Sequence, residues 1–195
     1  MKGKGRGLPC RKEPMKRERK QFNATKFLAT ASLIAALYIA LTYLAMAFGL
    51  DKNAIQVRFS EALVALCLIT PAAIPGLTVG CLLANILTGC APLDIALGPV
   101  ATLIGCIGAY YIGKLMRKTR KTWLAVLAPL PTVLANTVIV PFVIYVCYTA
   151  PGDQDLAILP FFALTVFLGE IISAEILGTA LYFALRKRKI LNYLN

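Results

Sequence analysis

The chain of 195 residues has no histidine, and only 9 Asp and Glu stand against 21 Lys and Arg. Without histidine its six cysteines, Cys10, Cys67, Cys81, Cys90, Cys106 and Cys147, cannot complete a Cys/His zinc site, and none stands in a CxxC pair. Five of them lie in or at the ends of apolar runs, where free Cys acts as a small hydrophobe. No disulfide framework, metal or other cofactor is implied. An intramembrane hydrolase would need a nucleophile with a base. No His, Ser–Lys or paired-Asp motif supplies one. The segment from Gly108 to Leu115, GAYYIGKL, matches a phosphate-binding loop except at its last position. That loop needs Ser or Thr there for magnesium and a strand before its glycines. Here Leu115 follows Lys114 and the segment closes an apolar run. Gly108 and Gly113 therefore read as packing residues and Lys114 as a snorkelling side chain. The chain has no means of hydrolysing ATP.

Charge is scarce as well, at 15% of residues, while 58% are hydrophobic and the mean hydropathy is +0.72. An ordinary soluble domain is about a quarter charged. The net charge of +12 does not indicate nucleic acid, because it is confined to the gaps between apolar runs. Ten of the 21 Lys and Arg lie in Met1 to Lys26, five in Lys114 to Lys121 and four in Arg186 to Lys189, leaving Lys52 and Arg58 elsewhere. This is a membrane pattern. A hydrocarbon core of roughly 30 Å takes about 20 helical residues. The expected spans are Phe27 to Phe48, Gln56 to Thr70, Gly76 to Leu87, Leu93 to Met116, Trp123 to Tyr148 and Pro160 to Leu185. The second and third are short, and counting them as one kinked crossing would give five.

The positive-inside rule favours six. With six spans the N-terminus, the Lys114–Lys121 loop and the C-terminal RKRK share the cytoplasmic side. Asp51 with Lys52, Asp94, and Asp153 with Asp155 then lie outside. The expected fold is an all-α bundle of six transmembrane helices over residues 27–186, with both termini cytoplasmic. Residues 1–26 form a basic tail expected to be disordered and able to touch anionic lipid, and 187–195 a short C-terminal tail. The first apolar run exceeds a signal-peptide core, which is usually 7–15 residues, so it is kept as a span.

The polar residues inside these spans carry the functional reading, since ionisable groups in a bilayer face a bundle interior, a cavity or each other. Arg58 and Glu61 head the second span, Asn85 lies near the outer end of the third, and Asp94 opens the fourth. Asn136 and Glu170 are near mid-depth. All six fall in the outer half, where they could recognise a polar or cationic small molecule. Tyr145 and Tyr148 either stack on a ring or belong to the interfacial aromatic belt. Simpler roles stand beside these. Arg58 and Glu61, three residues apart, can pair with each other; Asn85 and Asn136 can bridge helices; Glu175, deeper, can serve an interhelical contact. Pro129, Pro131 and Pro141 break the fifth helix, as in helices that line binding sites, or merely curve it. Ala31 with Ala35, and Ala36 with Ala40, allow close approach of another helix, from this chain or from a partner.

The run VRFSEAL, then LITPAAIPGLTVGCLLANILTG, LDIALG, APLPTVLAN and the late GE resemble the QueT family of queuosine-precursor transporters, over roughly Leu33 to Leu185. That resemblance implies a substrate-binding S-component of an energy-coupling factor (ECF) transporter in a prokaryotic cell membrane. Such a subunit is a six-helix bundle that binds a vitamin-like solute, here of the 7-deazaguanine class, near its outer face. Its implied partners are a transmembrane T-component and two cytoplasmic ATPases, whose ATP hydrolysis topples the S-component. The implied substrate residues are Arg58, Glu61, Asn85, Asp94, Asn136 and Glu170. The implied docking alanines are Ala31 and Ala35 first, then Ala36 and Ala40. The long basic tail is not a feature associated with the family. The alternative is a self-sufficient secondary transporter of a small polar or cationic solute, with Glu61 or Glu170 as a proton relay. Internal repeats, commoner in such proteins, are not evident.

Overall fold

The computed structural model describes residues 23–50, 57–149 and 155–187. The basic tail up to residue 22, the 51–56 and 150–154 connections with Asp51, Lys52 and Asp153, and residues 188–195 lie outside the described residues. Every described element is helical. Helix α1 spans Ala24–Ala47, a 3-10 segment covers Phe59–Leu68, and α2 spans Ala73–Leu87. Helix α3 runs Pro92–Thr119 and, after a 3-10 turn at Thr122–Ala125, α4 runs Leu130–Cys147. Helix α5, Leu159–Glu170, passes through a π-helical turn, Ile171–Leu177, into α6, Gly178–Lys187.

Four helical stretches are long and apolar enough to cross a membrane: Ala24–Ala47, Pro92–Thr119, Thr122–Cys147 and Leu156–Lys187. They fall where the first, fourth, fifth and sixth spans are expected. Pro129 and Pro131 do interrupt the fifth, since α-helix begins only at Leu130. Pro141 is accommodated within α4.

The two short spans differ from expectation in form. Gln56 to Thr70 is expected as an α-helix, but its described helical part is a 3-10 segment of 10 residues. At about 2.0 Å per residue it is roughly 20 Å long. Helix α2 starts at Ala73 rather than Gly76, because Pro75 is tolerated in a first helical turn. Its 15 residues span about 22 Å.

The 3-10 segment is the centre of the molecule. Every residue from Ser60 to Leu68 is buried, enclosed by α1, α3, α6 and the π turn. A helix apolar all round belongs in a core, and irregular backbone at membrane depth is tolerated where protein encloses it. Its free carbonyl end is satisfied from α3, where the Arg117 guanidinium donates to the Leu68 carbonyl. Gly113 lets α3 come this close: a Cβ there would lie 3.0 Å from Leu68 Cα.

Close approach also fixes the outer helices. A Cβ on Gly76 would meet the Ala31 carbonyl at 2.7 Å, and one on Gly80 would lie 3.1 Å from Ala35 Cα. Ala31 and Ala35 are buried against α2 by this packing. Their place as the first docking pair is thereby taken by internal contact, whereas Ala36 and Ala40 are exposed. Gly108 packs on Pro131 of α4, within a continuous α3. The segment resembling a phosphate loop is therefore helix throughout.

Gly76→Val would force α1 and α2 apart. It should cost roughly 1–3 kcal/mol, the usual penalty of overpacking, read as a lower thermal unfolding midpoint in detergent. An unchanged midpoint would mean that this contact does not set the helix spacing.

Candidate functional site

Helices α1 and α2 end in the same way, and both ends help to build the site. Gly49 and Gly89 adopt φ values of +69° and +70°, which favour glycine. After α1, the Gly49 N–H donates to Met46 O and the Leu50 N–H to Ala45 O; after α2, Gly89 donates to Ile86 O and Cys90 to Asn85 O. Each is a Schellman cap that turns the chain sharply. The last turns of α1, α2 and α4, with the first turns of the 3-10 segment and α3, surround a cavity of about 370 Å³. Thr42, Arg58, Asp94 and Tyr148 supply much of its polar lining, and Val140, Val143 and Ile144 the α4 wall.

Asp94 is held from two sides. The Asn85 amide donates to the Asp94 backbone carbonyl at 3.1 Å. Gly98 leaves room for it, since a Cβ there would sit 2.7 Å from Asn85 Nδ2. The Tyr148 hydroxyl accepts from the Ala91 N–H at 2.9 Å and lies 3.5 Å from Asp94 Oδ2. Asn85 thus ties α2 to the start of α3, which is a bridging role.

One turn deeper lies a second polar layer. Tyr38, one turn below Thr42, is 1% exposed and donates its hydroxyl to Glu61 Oε1 at 2.6 Å. Asn136, one turn below Val140, donates from Nδ2 to Glu170 Oε1 at 2.7 Å. The other oxygens, Glu61 Oε2 and Glu170 Oε2, are buried without a hydrogen-bond partner in the protein. Arg58 is within electrostatic reach of both Glu61 and Asp94, but the hydrogen bond to Glu61 comes from Tyr38. No hydrogen bond joins the Arg58 and Glu61 side chains among the described residues. Instead the Arg58 backbone N–H donates to Ser173 Oγ at 3.0 Å. Ser173 is presented by the π turn directly after Glu170; π turns within α-helices occur often at functional sites.

Of the six expected residues, Arg58 and Asp94 line the cavity, Asn85 positions Asp94, and Glu61, Asn136 and Glu170 form the layer beneath. Tyr148 lines the cavity; Tyr145 does not. Glu175 is half-buried, and its Oε2 has no hydrogen-bond partner. Tyr38 and Ser173 were not anticipated. Tyr38 carried a signal, since a tyrosine far from either end of an apolar span lies outside the interfacial belt and needs a buried partner.

An all-helical bundle with several membrane-length helices and a solute-sized, partly polar cavity at one end defines a multi-pass membrane protein equipped to hold a small molecule. The family model described as QueT transporter matches residues 28–187. The chain belongs to the QueT transporter family, which makes it a membrane transporter for a queuosine precursor. No curated protein and no solved structure matches it.

Tyr38→Phe leaves Glu61 with both oxygens unpartnered. It should destabilise the folded protein by about 1–3 kcal/mol, measured by unfolding in detergent. A variant as stable as the parent would show that the hydroxyl is not needed to hold Glu61.

Proposed function

We propose that this chain is the solute-binding S-component of an energy-coupling factor importer, taking up a 7-deazaguanine queuosine precursor across a prokaryotic cell membrane. It crosses six times, the 3-10 segment and α2 forming the two short crossings, with both termini in the cytoplasm. The cavity end carries Asp94 and faces outward. The opposite end carries the exposed Lys114, Lys118, Arg120 and Lys121 and faces inward under the positive-inside rule.

The observation that carries this reading is how the cavity ends. Below the Tyr38–Glu61 layer the bundle is filled by the buried core residues Leu63 to Leu68. A solute held at one end has no open route through such a core. Release on the other side then requires the bundle to move as a body. That fits a subunit toppled by partners, a T-component and two ATPases, better than a carrier that opens alternately by itself. Exposed Ala36 and Ala40 are the available close-approach surface on α1.

The site chemistry fits the solute. A carboxylate accepts from a ring N–H and an exocyclic amine together, and an Asn amide meets a carbonyl. Glu61 and Glu170 each keep one oxygen uncommitted for such donors, while Tyr38 and Asn136 fix the other. Arg58, Asp94 and Asn136 complete the contacts, and Asn85 holds Asp94 in place.

Calorimetric titration of the detergent-purified chain should give saturable binding of a 7-deazaguanine and much weaker binding of guanine. Glu170→Gln should weaken binding roughly tenfold to a hundredfold, as for a lost hydrogen bond to a charged group, in protein that remains folded. Liposomes holding the chain alone should accumulate no solute. Absence of deazaguanine binding to folded protein would refute the substrate class, and uptake by the chain alone would refute the S-component.

A further inference from the structure

We infer that the solute carries a positive charge on the arm of its ring, and that this charge lodges at the cavity mouth against Asp94, while the ring lies deeper. The inference rests on the proposed reading of the chain as a 7-deazaguanine binder and goes on to say which member of that class it takes and which way round.

Three observations carry it. The first is an excess of carboxyl groups over cations. Among the described residues, the cavity and the layer beneath it hold three carboxyl groups, Glu61, Asp94 and Glu170, against the single cation Arg58. The remaining described cations belong to the first turn of α1, the second half of α3 with the turn after it, and the end of α6, all at the opposite end of the bundle. Arg58 is within electrostatic reach of both Glu61 and Asp94. Charges withdrawn from water need a partner, and a cationic ligand would supply one.

The second observation is the set of helix ends. The C-terminal turns of α1, α2 and α4 all line the cavity, through Ala45 and Met46, through Thr88 and Gly89, and through Ile144 and Tyr148. Helix C-termini carry partial negative charge and favour cations. Broken transmembrane helices use such ends to hold cations.

The third is the division into two layers. The deeper carboxyl groups have their fixed oxygens engaged by the neutral donors Tyr38 and Asn136, and each offers one buried unpartnered oxygen. That suits the N–H edges of a ring. Asp94 is different: it lines the cavity itself, beside those carbonyl ends. A charged arm placed there gives up less hydration than one placed in the dry layer below. Substituents carried beyond the amine would also point to the open side.

The test compares two 7-deazaguanines that differ only at the arm, one with a protonated aminomethyl group and one with an uncharged nitrile. Both are titrated into the whole chain in detergent and into Asp94→Asn. On the parent protein the aminomethyl compound should bind roughly tenfold to a hundredfold more tightly. In Asp94→Asn that preference should shrink to near unity, because the aminomethyl compound loses more affinity than the nitrile. An unfolding midpoint in detergent close to the parent's shows that the variant is folded. Equal affinities on the parent would overturn the inference and leave the deazaguanine reading intact. A preference that survives in Asp94→Asn would overturn the role of Asp94. Binding of neither compound to the folded parent would overturn the reading on which the inference rests. If Asp94→Asn binds neither, Asp94→Glu, which keeps the charge, must restore the preference for the inference to stand.

Discussion

Between lipid tails there is no water to satisfy a backbone carbonyl or a carboxyl group, and the whole fold answers that constraint. A 3-10 segment has poorer hydrogen-bond geometry than an α-helix and rarely runs long. Ten residues of it in a membrane protein persist only because other helices enclose them on every side. Arg117 reaches from α3 to its last carbonyl, Gly113 and Gly178 let neighbouring backbones close over it, and Ser173 meets it at the Arg58 amide. Removing water's help turns a weak element into the best-protected one.

The same constraint explains why the polar residues are arranged in two layers. Glu61 and Glu170 lie where a carboxyl must be held, and each is gripped by one neutral donor from a facing helix. Their second oxygens remain without protein partners, a cost of about 1–3 kcal/mol each by ordinary experience with buried polar atoms. A fold selected for stability alone would have closed these valences or replaced the acids. Keeping them open makes sense where a ligand brings the donors. The π turn after Glu170 contributes to this, since it places Glu170 and Ser173 on successive contacts with α4 and the 3-10 segment.

Much of this could be read in the sequence, for identifiable reasons. The four long helices announce themselves by apolar length, and the break before Leu130 by Pro129 and Pro131. The central segment could not be typed, because FSEALVALCL is apolar throughout after Ser60 and Glu61 and so has no periodicity to separate 3-10 from α. The start of α2 was read late because Pro75 looked like a helix boundary rather than a first-turn residue. In the site, depth counting put Arg58, Glu61, Asn85, Asp94, Asn136 and Glu170 toward one end, but residue type could not assign their partners. Glu61 bonds a tyrosine 23 positions earlier, not the arginine three positions away. Small-residue spacing has the same ambiguity. Ala31 and Ala35 look like a docking surface until Gly76 and Gly80 are known to face them.

The enclosed core also bears on how a solute could leave. Opening a path between the 3-10 segment and its neighbours would bare its carbonyls to hydrocarbon, at several kcal/mol for each unsatisfied group. It would also detach Arg117 from Leu68 and separate backbones that glycines hold in contact. In lipid the apolar surfaces exposed would cost little in hydration, but the lost packing and hydrogen bonds would not be replaced. Moving the bundle intact breaks none of these contacts. On that reasoning a structure organised around a sealed 3-10 core is better suited to carry its cavity from one face of the membrane to the other than to open a passage through itself. Under the proposed S-component reading, the work of that motion would fall to partner subunits.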